Sequence, residues 1–198
     1  MSKILTLYGY IEENILTQLN DVELLVMDVD GTLTDGRVIL GGEDLDLKCF
    51  SARDGLGVHL LHVYSIAAAI ITGRSSQAVT RRARELHIGH VLMGVSDKGL
   101  ALQELRAQLN LQGRCACIGD DLNDVPMFRQ ADFTACPHDA SSYIKTISSY
   151  VLMNRGGSGA VRELIDLMLI AKGHMDYDGG LTDFDTYLGA SRQASPSQ

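Results

Sequence analysis

Two acids one residue apart, Asp28 and Asp30, follow the apolar run Leu24-Leu25-Val26-Met27 and precede Gly31-Thr32-Leu33-Thr34-Asp35. A short apolar run bounded by polar turn residues reads as a strand buried on both faces. A carboxylate at the end of such a strand is costly to bury unless it meets a partner or a cation. Two further segments break from apolar to polar in the same way, Thr72-Gly73-Arg74 and Gly119-Asp120-Asp121-Leu122-Asn123-Asp124, and Ser96-Asp97-Lys98 opens a helix after another strand, so Lys98 can reach the same rim. Each alone fits an ordinary strand-to-helix connection. Together they satisfy a chemical requirement, because crowded carboxylates raise one another's pKa unless a cation sits among them. Oxygen donors without His or Cys suit Mg²⁺, which typically takes one or two carboxylates and completes its shell with water and phosphate oxygens. A lysine and a threonine hydroxyl beside that ion form a site for phosphoryl oxygens. Aspartate can itself serve as the nucleophile and carry the phosphoryl group. Gly-Lys-Ser/Thr does not occur, which excludes a P-loop nucleotide site.

These residues need a scaffold that brings several strand ends together. Apolar runs over 23–28, 66–71, 90–93, 115–118, 131–136 and 150–152 read as strands. Helical stretches alternate with them, over 51–64, 75–86, 96–110, 125–130, from Pro137 and over 160–172. Residues 3–20, with Ile11, Ile15, Leu16 and Leu19 at helical spacing, read as a short leading helix. Alternation of this kind gives an α/β, doubly wound parallel sheet with helices on both faces. Two alternating runs around Gly41-Gly42 predict a β-hairpin flap over about 36–50. One domain is expected over 1–172. Beyond Gly173 the composition turns to Asp, Gly, Ser and Gln, which predicts a flexible tail.

Composition narrows the partners. The chain has 198 residues, 45% hydrophobic and 21% charged, in the range of globular proteins. A net charge of −8 argues against nucleic acid or an anionic membrane surface. No apolar segment approaches the roughly 18 residues of a membrane span. The four cysteines and six histidines show no metal-ligand spacing, and the N-terminus shows no export signal. The expectation is a cytoplasmic protein acting on a small molecule. An anionic substrate would need local basic groups, for which Arg53, Arg74, Arg81, Arg82, Arg84 and Lys98 are available.

The acidic series, with Thr72, Lys98 and the late Gly119–Asp124 segment in that order, resembles the haloacid dehalogenase (HAD) phosphatase superfamily. A response-regulator receiver domain uses similar residues in a different order. The resemblance covers roughly Leu24 to Lys172. It implies a HAD-like Rossmannoid sheet, Asp28 as nucleophile and Asp30 as general acid and base. It implies Mg²⁺ on the Asp28 carboxylate, the Asp30 backbone carbonyl and Asp120, with Thr72 and Lys98 on the phosphoryl group. Asp121 and Asp124 would order the metal's waters or the loop.

Within the superfamily the chain is similar to the capless, tetrameric family of 3-deoxy-D-manno-octulosonate 8-phosphate (KDO 8-phosphate) phosphatases. The matching pieces are Asp28-Val29-Asp30-Gly31, Arg53-Asp54-Gly55, Ile70-Ile71-Thr72-Gly73-Arg74, Gly119-Asp120-Asp121 and Gly156-Gly157-Ser158-Gly159-Ala160-Val161-Arg162-Glu163. The implied substrate contacts are Asp30, Ser51, Ala52, Arg53, Asp54, Gly55, His59, Gly73, Arg74, Arg82, Lys98 and Asn123, with His59 standing where the family has an arginine. The resemblance implies no cap domain, a homotetramer closing its own sites, and a role in lipopolysaccharide precursor synthesis. The alternatives are a phosphatase for another sugar-acid phosphate, such as a sialic acid 9-phosphate, and a non-catalytic regulatory module that keeps the fold.

Overall fold

The computed structural model describes residues 2–39, 46–111 and 113–193. It begins with an antiparallel hairpin of β1 (Lys3–Thr6) and β2 (Gly9–Glu12), followed by α1 (Glu13–Asn20). This corrects the single helix expected over 3–20. The turn decides the matter: Gly9 takes φ +84°, a left-handed conformation that costs glycine little. Thr6 Oγ1 donates to the Gly9 carbonyl and accepts from the Tyr8 amide, each at 3.1 Å. Turn chemistry wins as far as residue 12, and helical spacing governs only from residue 13 onward.

Strands and helices then alternate as β3 (Val22–Met27), α2 (Ala52–Val63), β4 (Ala67–Thr72), α3 (Gln77–Glu85), β5 (His90–Met93) and α4 (Lys98–Leu109). They continue as β6 (Arg114–Ile118), α5 (Val125–Phe128), β7 (Phe133–Cys136), α6 (Ser142–Ile147), β8 (Tyr150–Val151) and α7 (Ala160–Ala171). Strands β3 to β8 form one parallel sheet in the order β5-β4-β3-β6-β7-β8, the expected doubly wound arrangement. From β3 the chain steps outward to β4 and β5, and α4 then returns it to β6 on the other side of β3. Strand order therefore reverses between β3 and β6. In open α/β sheets the crevice beyond the carboxyl ends at such a reversal is where ligands bind.

Both sheet faces are covered, which explains the continuous apolar runs. Leu25 and Met27 of β3 face a core shared with α1, α2, α3 and α7, while Leu24 and Val26 face a second core with α4, α5 and α6. Helix α7 is buried along almost its whole length and includes the acids Glu163 and Asp166. Each acid has partners. Glu163 accepts from the Met153 and Asn154 amides, and Asp166 accepts from Tyr8 Oη at 2.7 Å and Arg162 Nε at 2.6 Å.

The turn of the predicted flap, 40–45, lies outside the described residues. Its flanks, 36–39 and 46–50, lie outside the named strands. Helix α6 begins at Ser142 rather than at Pro137, because 137–141 make a turn in which the Ala140 amide donates to the Pro137 carbonyl at 3.1 Å. The segment after Gly173, expected to be flexible, carries a Met175–Leu181 bridge and helix α8 (Phe184–Gln193). Its scattered apolar residues supply the reason: Met175 is buried in the first core, and Leu181 and Tyr187 pack against it.

Candidate active site

Asp28 stands one residue past β3, and its amide donates to the Ile118 carbonyl at 3.0 Å. That bond extends the β3–β6 ladder and fixes the Asp28 backbone at the point of strand reversal. Lys98 opens α4, whose N-cap Asp97 accepts from the Gly99 amide at 2.9 Å and the Leu100 amide at 3.1 Å. The cap sets where the helix starts, and hence where the lysine enters the crevice. Lys98 is only 2% exposed. Its Nζ donates to Asp28 Oδ1 at 2.5 Å and to Asp124 Oδ1 at 2.6 Å. Asp124 Oδ2 in turn accepts from the Asp120 amide at 2.8 Å and the Asp121 amide at 3.2 Å. The turn after β6 thus folds back on itself and delivers Asp124 beside Asp28.

Carboxylate oxygens of Asp28, Asp120 and Asp124 lie within 4.8 Å of one another. Burial pushes the Asp28 carboxyl well above the usual carboxylate range, with Asp124 adding to the shift and Lys98 opposing it. Asp120 is pushed up to about 7 by burial and then by Asp28, Asp124 and Asp121. Burial works against the Lys98 ammonium, but Asp28 and Asp124 outweigh it and hold the lysine charged. One ammonium therefore faces three carboxylates. An all-oxygen donor set with that charge imbalance fits a hard divalent cation. Asp124 is committed to Lys98 and two amides, whereas the Asp120 carboxylate accepts no hydrogen bond among the described residues and Asp28 meets Lys98 and the Val29 amide. Asp28 and Asp120 are thus the pair able to hold the ion.

Gly31 is required beside them. It takes φ +93°, and a Cβ there would lie 2.1 Å from Asp120 Oδ2. The loop carrying it is backed by the Gly156-Gly157 segment: the Gly157 amide donates to the Thr32 carbonyl at 2.9 Å, and a Cβ on Gly156 would meet the Gly31 carbonyl oxygen at 1.9 Å.

The other expected residues divide into two groups. Thr72 ends β4 and is buried, two residues past Ile70, the register partner of Met27. Its hydroxyl has no hydrogen bond among the described residues. Gly73, Arg74, Asp121 and Asn123 are exposed on the connections after β4 and β6, on the same side of the sheet as Asp28. Ser51 caps α2, its Oγ accepting from the Asp54 amide at 3.3 Å, and Ala52 and Arg53 are exposed in the first turn. Arg82 Nη2 donates to the Ser51 carbonyl at 3.3 Å and lies against Gly55.

Two expected substrate contacts face elsewhere. The Asp54 carboxylate turns inward and accepts from the Gly159 amide at 3.2 Å and the Arg162 amide at 2.8 Å, tying α2 to the start of α7. His59 is half-buried with its ring edge-on to Tyr187 of α8, the centroids 6.2 Å apart, and burial lowers its pKa. Both follow from position on α2, since residues 54 and 59 leave the helix on faces covered by α7 and α8. Two residues escaped the sequence reading. Lys48, on the described flank of the flap, donates to Asp30 Oδ1, and Asp46 accepts from Ser76 Oγ at 2.9 Å and the Ala78 amide at 2.9 Å. No local pattern marks either one.

A family model described as haloacid dehalogenase-like hydrolase matches residues 78–164. The 3-deoxy-D-manno-octulosonate 8-phosphate phosphatase KdsC of Yersinia pestis is 38% identical over 178 residues, 89% of this chain and 95% of the relative. The crystal structure of that phosphatase from Yersinia pestis superposes with a TM-score of 0.85, covering 91% of this chain and 98% of the other. The phosphatase from Moraxella catarrhalis, solved with a magnesium ion, a phosphate ion and a KDO molecule, is 37% identical. It matches with a TM-score of 0.80 over 91% of this chain and 99% of the other. Motif order, sheet topology and near full-length identity agree, and the chain belongs to the haloacid dehalogenase-like hydrolases, in the family of the 3-deoxy-D-manno-octulosonate 8-phosphate phosphatases.

Proposed function

We propose that this chain hydrolyses KDO 8-phosphate to KDO and inorganic phosphate with Mg²⁺, through an aspartyl-phosphate on Asp28, as a step of lipopolysaccharide precursor synthesis. The observation that carries the reading is the buried Lys98 ammonium shared by Asp28 and Asp124 beside Asp120 at the strand reversal. The Asp28 carboxylate attacks phosphorus; the bond from phosphorus to the sugar oxygen breaks as the bond to Asp28 forms. Asp30 protonates the departing oxygen, then takes a proton from the water that attacks phosphorus and frees Asp28. Thr72 and Lys98 bind the phosphoryl oxygens. Mg²⁺, held by Asp28, Asp120 and the Asp30 carbonyl, would neutralise the charge gathered on phosphate and carboxylates. Asp121 and Asp124 order the loop around it. Ser51, Ala52, Arg53, Gly55, Gly73, Arg74, Arg82 and Asn123 are the remaining candidates for the sugar acid, with arginine suited to both carboxylate and phosphate.

The proposal includes a cytoplasmic homotetramer. All four cysteines are free, as a reducing compartment requires. Among the described residues no helix is long and apolar enough to cross a membrane. Val38, Ile39 and Leu47 on the flap flanks are each about half exposed, apolar surface suited to covering another copy. The test is phosphate release from KDO 8-phosphate, a sialic acid 9-phosphate and hexose phosphates, with Mg²⁺ or with a chelator. KDO 8-phosphate should give the highest kcat/KM, and the chelator should abolish it. Preference for another substrate, or turnover unaffected by the chelator, would overturn the reading.

A further inference from the structure

The described flank of the flap touches the site at two points. Asp46 accepts from Ser76 Oγ at 2.9 and 3.1 Å and from the Ala78 amide at 2.9 Å, which binds the segment to the first turn of α3. Ser76 is itself the α3 N-cap, accepting from the Val79 amide at 3.2 Å. Two residues on, Lys48 Nζ donates to Asp30 Oδ1. The Lys48 and Asp30 side chains are 10% and 21% exposed, so this pair is shielded far more than an ordinary surface ion pair. The site's other lysine, Lys98, is committed to Asp28 and Asp124. With Oδ1 taken by Lys48, Asp30 Oδ2 accepts no hydrogen bond among the described residues and remains for proton transfer.

We propose that Lys48 is a positioning residue for the reaction: it holds the Asp30 carboxylate by Oδ1 and aims Oδ2 at the departing oxygen, while Asp46 anchors the segment to α3. The inference rests on the function proposed above, in which Asp30 moves the proton. A general acid must lie within hydrogen-bond reach of its target, so orientation carries much of its contribution.

The test compares wild type with K48M, K48R, D30N and the D30N/K48M double variant, each checked for an intact thermal transition. It uses KDO 8-phosphate, whose alkoxide needs a proton to leave, and p-nitrophenyl phosphate, whose nitrophenolate does not. Because kcat/KM reports steps up to the first irreversible phosphoryl transfer, it isolates the protonation. K48M should lose about tenfold or more in kcat/KM for KDO 8-phosphate and less than about threefold for the aryl ester, with K48R restoring most of the loss. In the D30N background K48M should change kcat/KM by less than about twofold, because the lysine acts through Asp30. An equal fall on both substrates, no fall on either, or a full additional loss in D30N would each overturn the role. Wild type that releases no phosphate from KDO 8-phosphate would instead refute the substrate assignment, and the Lys48 comparison would then be made on an alkyl phosphate it does hydrolyse.

Discussion

Lys98 is the residue on which the charge balance of the site turns. A buried ammonium is tolerated because two carboxylates hold it, and one of them is Asp28, the proposed nucleophile. If Asp124 did not share the lysine, its charge would fall on Asp28 alone and quench the nucleophile. Asp124→Asn should therefore lower kcat/KM by about 10²-fold while the chain still folds. Phosphate release and a melting curve check this; unchanged turnover would remove Asp124 from the machinery. Asp28, Asp30, Lys98 and Asp120 were readable from the sequence because each follows an apolar strand or opens a helix. Asp124 was readable only as part of an acidic loop, since its approach to Lys98 depends on how the turn after β6 closes. Lys48 carried no sequence signal at all, because its partner is 18 positions away in the chain.

Among the elements, the six parallel strands and the helices between them follow directly from apolar runs and caps. The β1–β2 hairpin and α8 do not. The first is decided by a two-residue turn that helical spacing masks, and the second depends on a few apolar side chains finding a core built by distant elements. The same lesson applies to α2. The family resemblance makes its start a substrate-contacting segment, but only its exposed residues remain available, since Asp54 ties down the start of α7 and His59 meets α8. Asp54→Ala leaves two buried amides without an acceptor, a loss of about 1–3 kcal/mol. For a chain of this size that lowers the unfolding midpoint by about 2–4 °C per kcal/mol. KM for the phosphate substrate, measured well below that midpoint, should stay within about twofold. A normal midpoint with a raised KM would return Asp54 to substrate contact.

For the whole molecule, the acids gathered at the site make stability depend on pH and on metal. Asp28 and Asp120 keep their protons to higher pH in the folded chain than in the unfolded one, Asp120 to about 7. Between the ordinary carboxylate range and that point the folded state binds more protons, so stability falls as pH rises and levels off above it. The buried acids Asp54, Glu163 and Asp166 are shifted in the same direction by burial and add to the trend. A divalent cation binds the ionised forms and offsets their repulsion. The metal-free protein should melt at higher temperature near about pH 6 than near about pH 8, and Mg²⁺ should raise the midpoint more at the higher pH. Thermal melts at both pH values, with Mg²⁺ or chelator, measure this. An equal Mg²⁺ effect at both would show that these carboxylates do not hold the ion.

The central claim is that Asp28 carries the phosphoryl group, and its direct test is chemical trapping during turnover. Enzyme turning over KDO 8-phosphate with Mg²⁺ is quenched in acid and reduced with borohydride, which converts an aspartyl-phosphate to homoserine, and its peptides are sequenced by mass spectrometry. Homoserine at position 28 alone, absent without substrate, is the predicted result. Homoserine at another aspartate, or none in samples quenched throughout a single turnover while the substrate is being consumed, would contradict it.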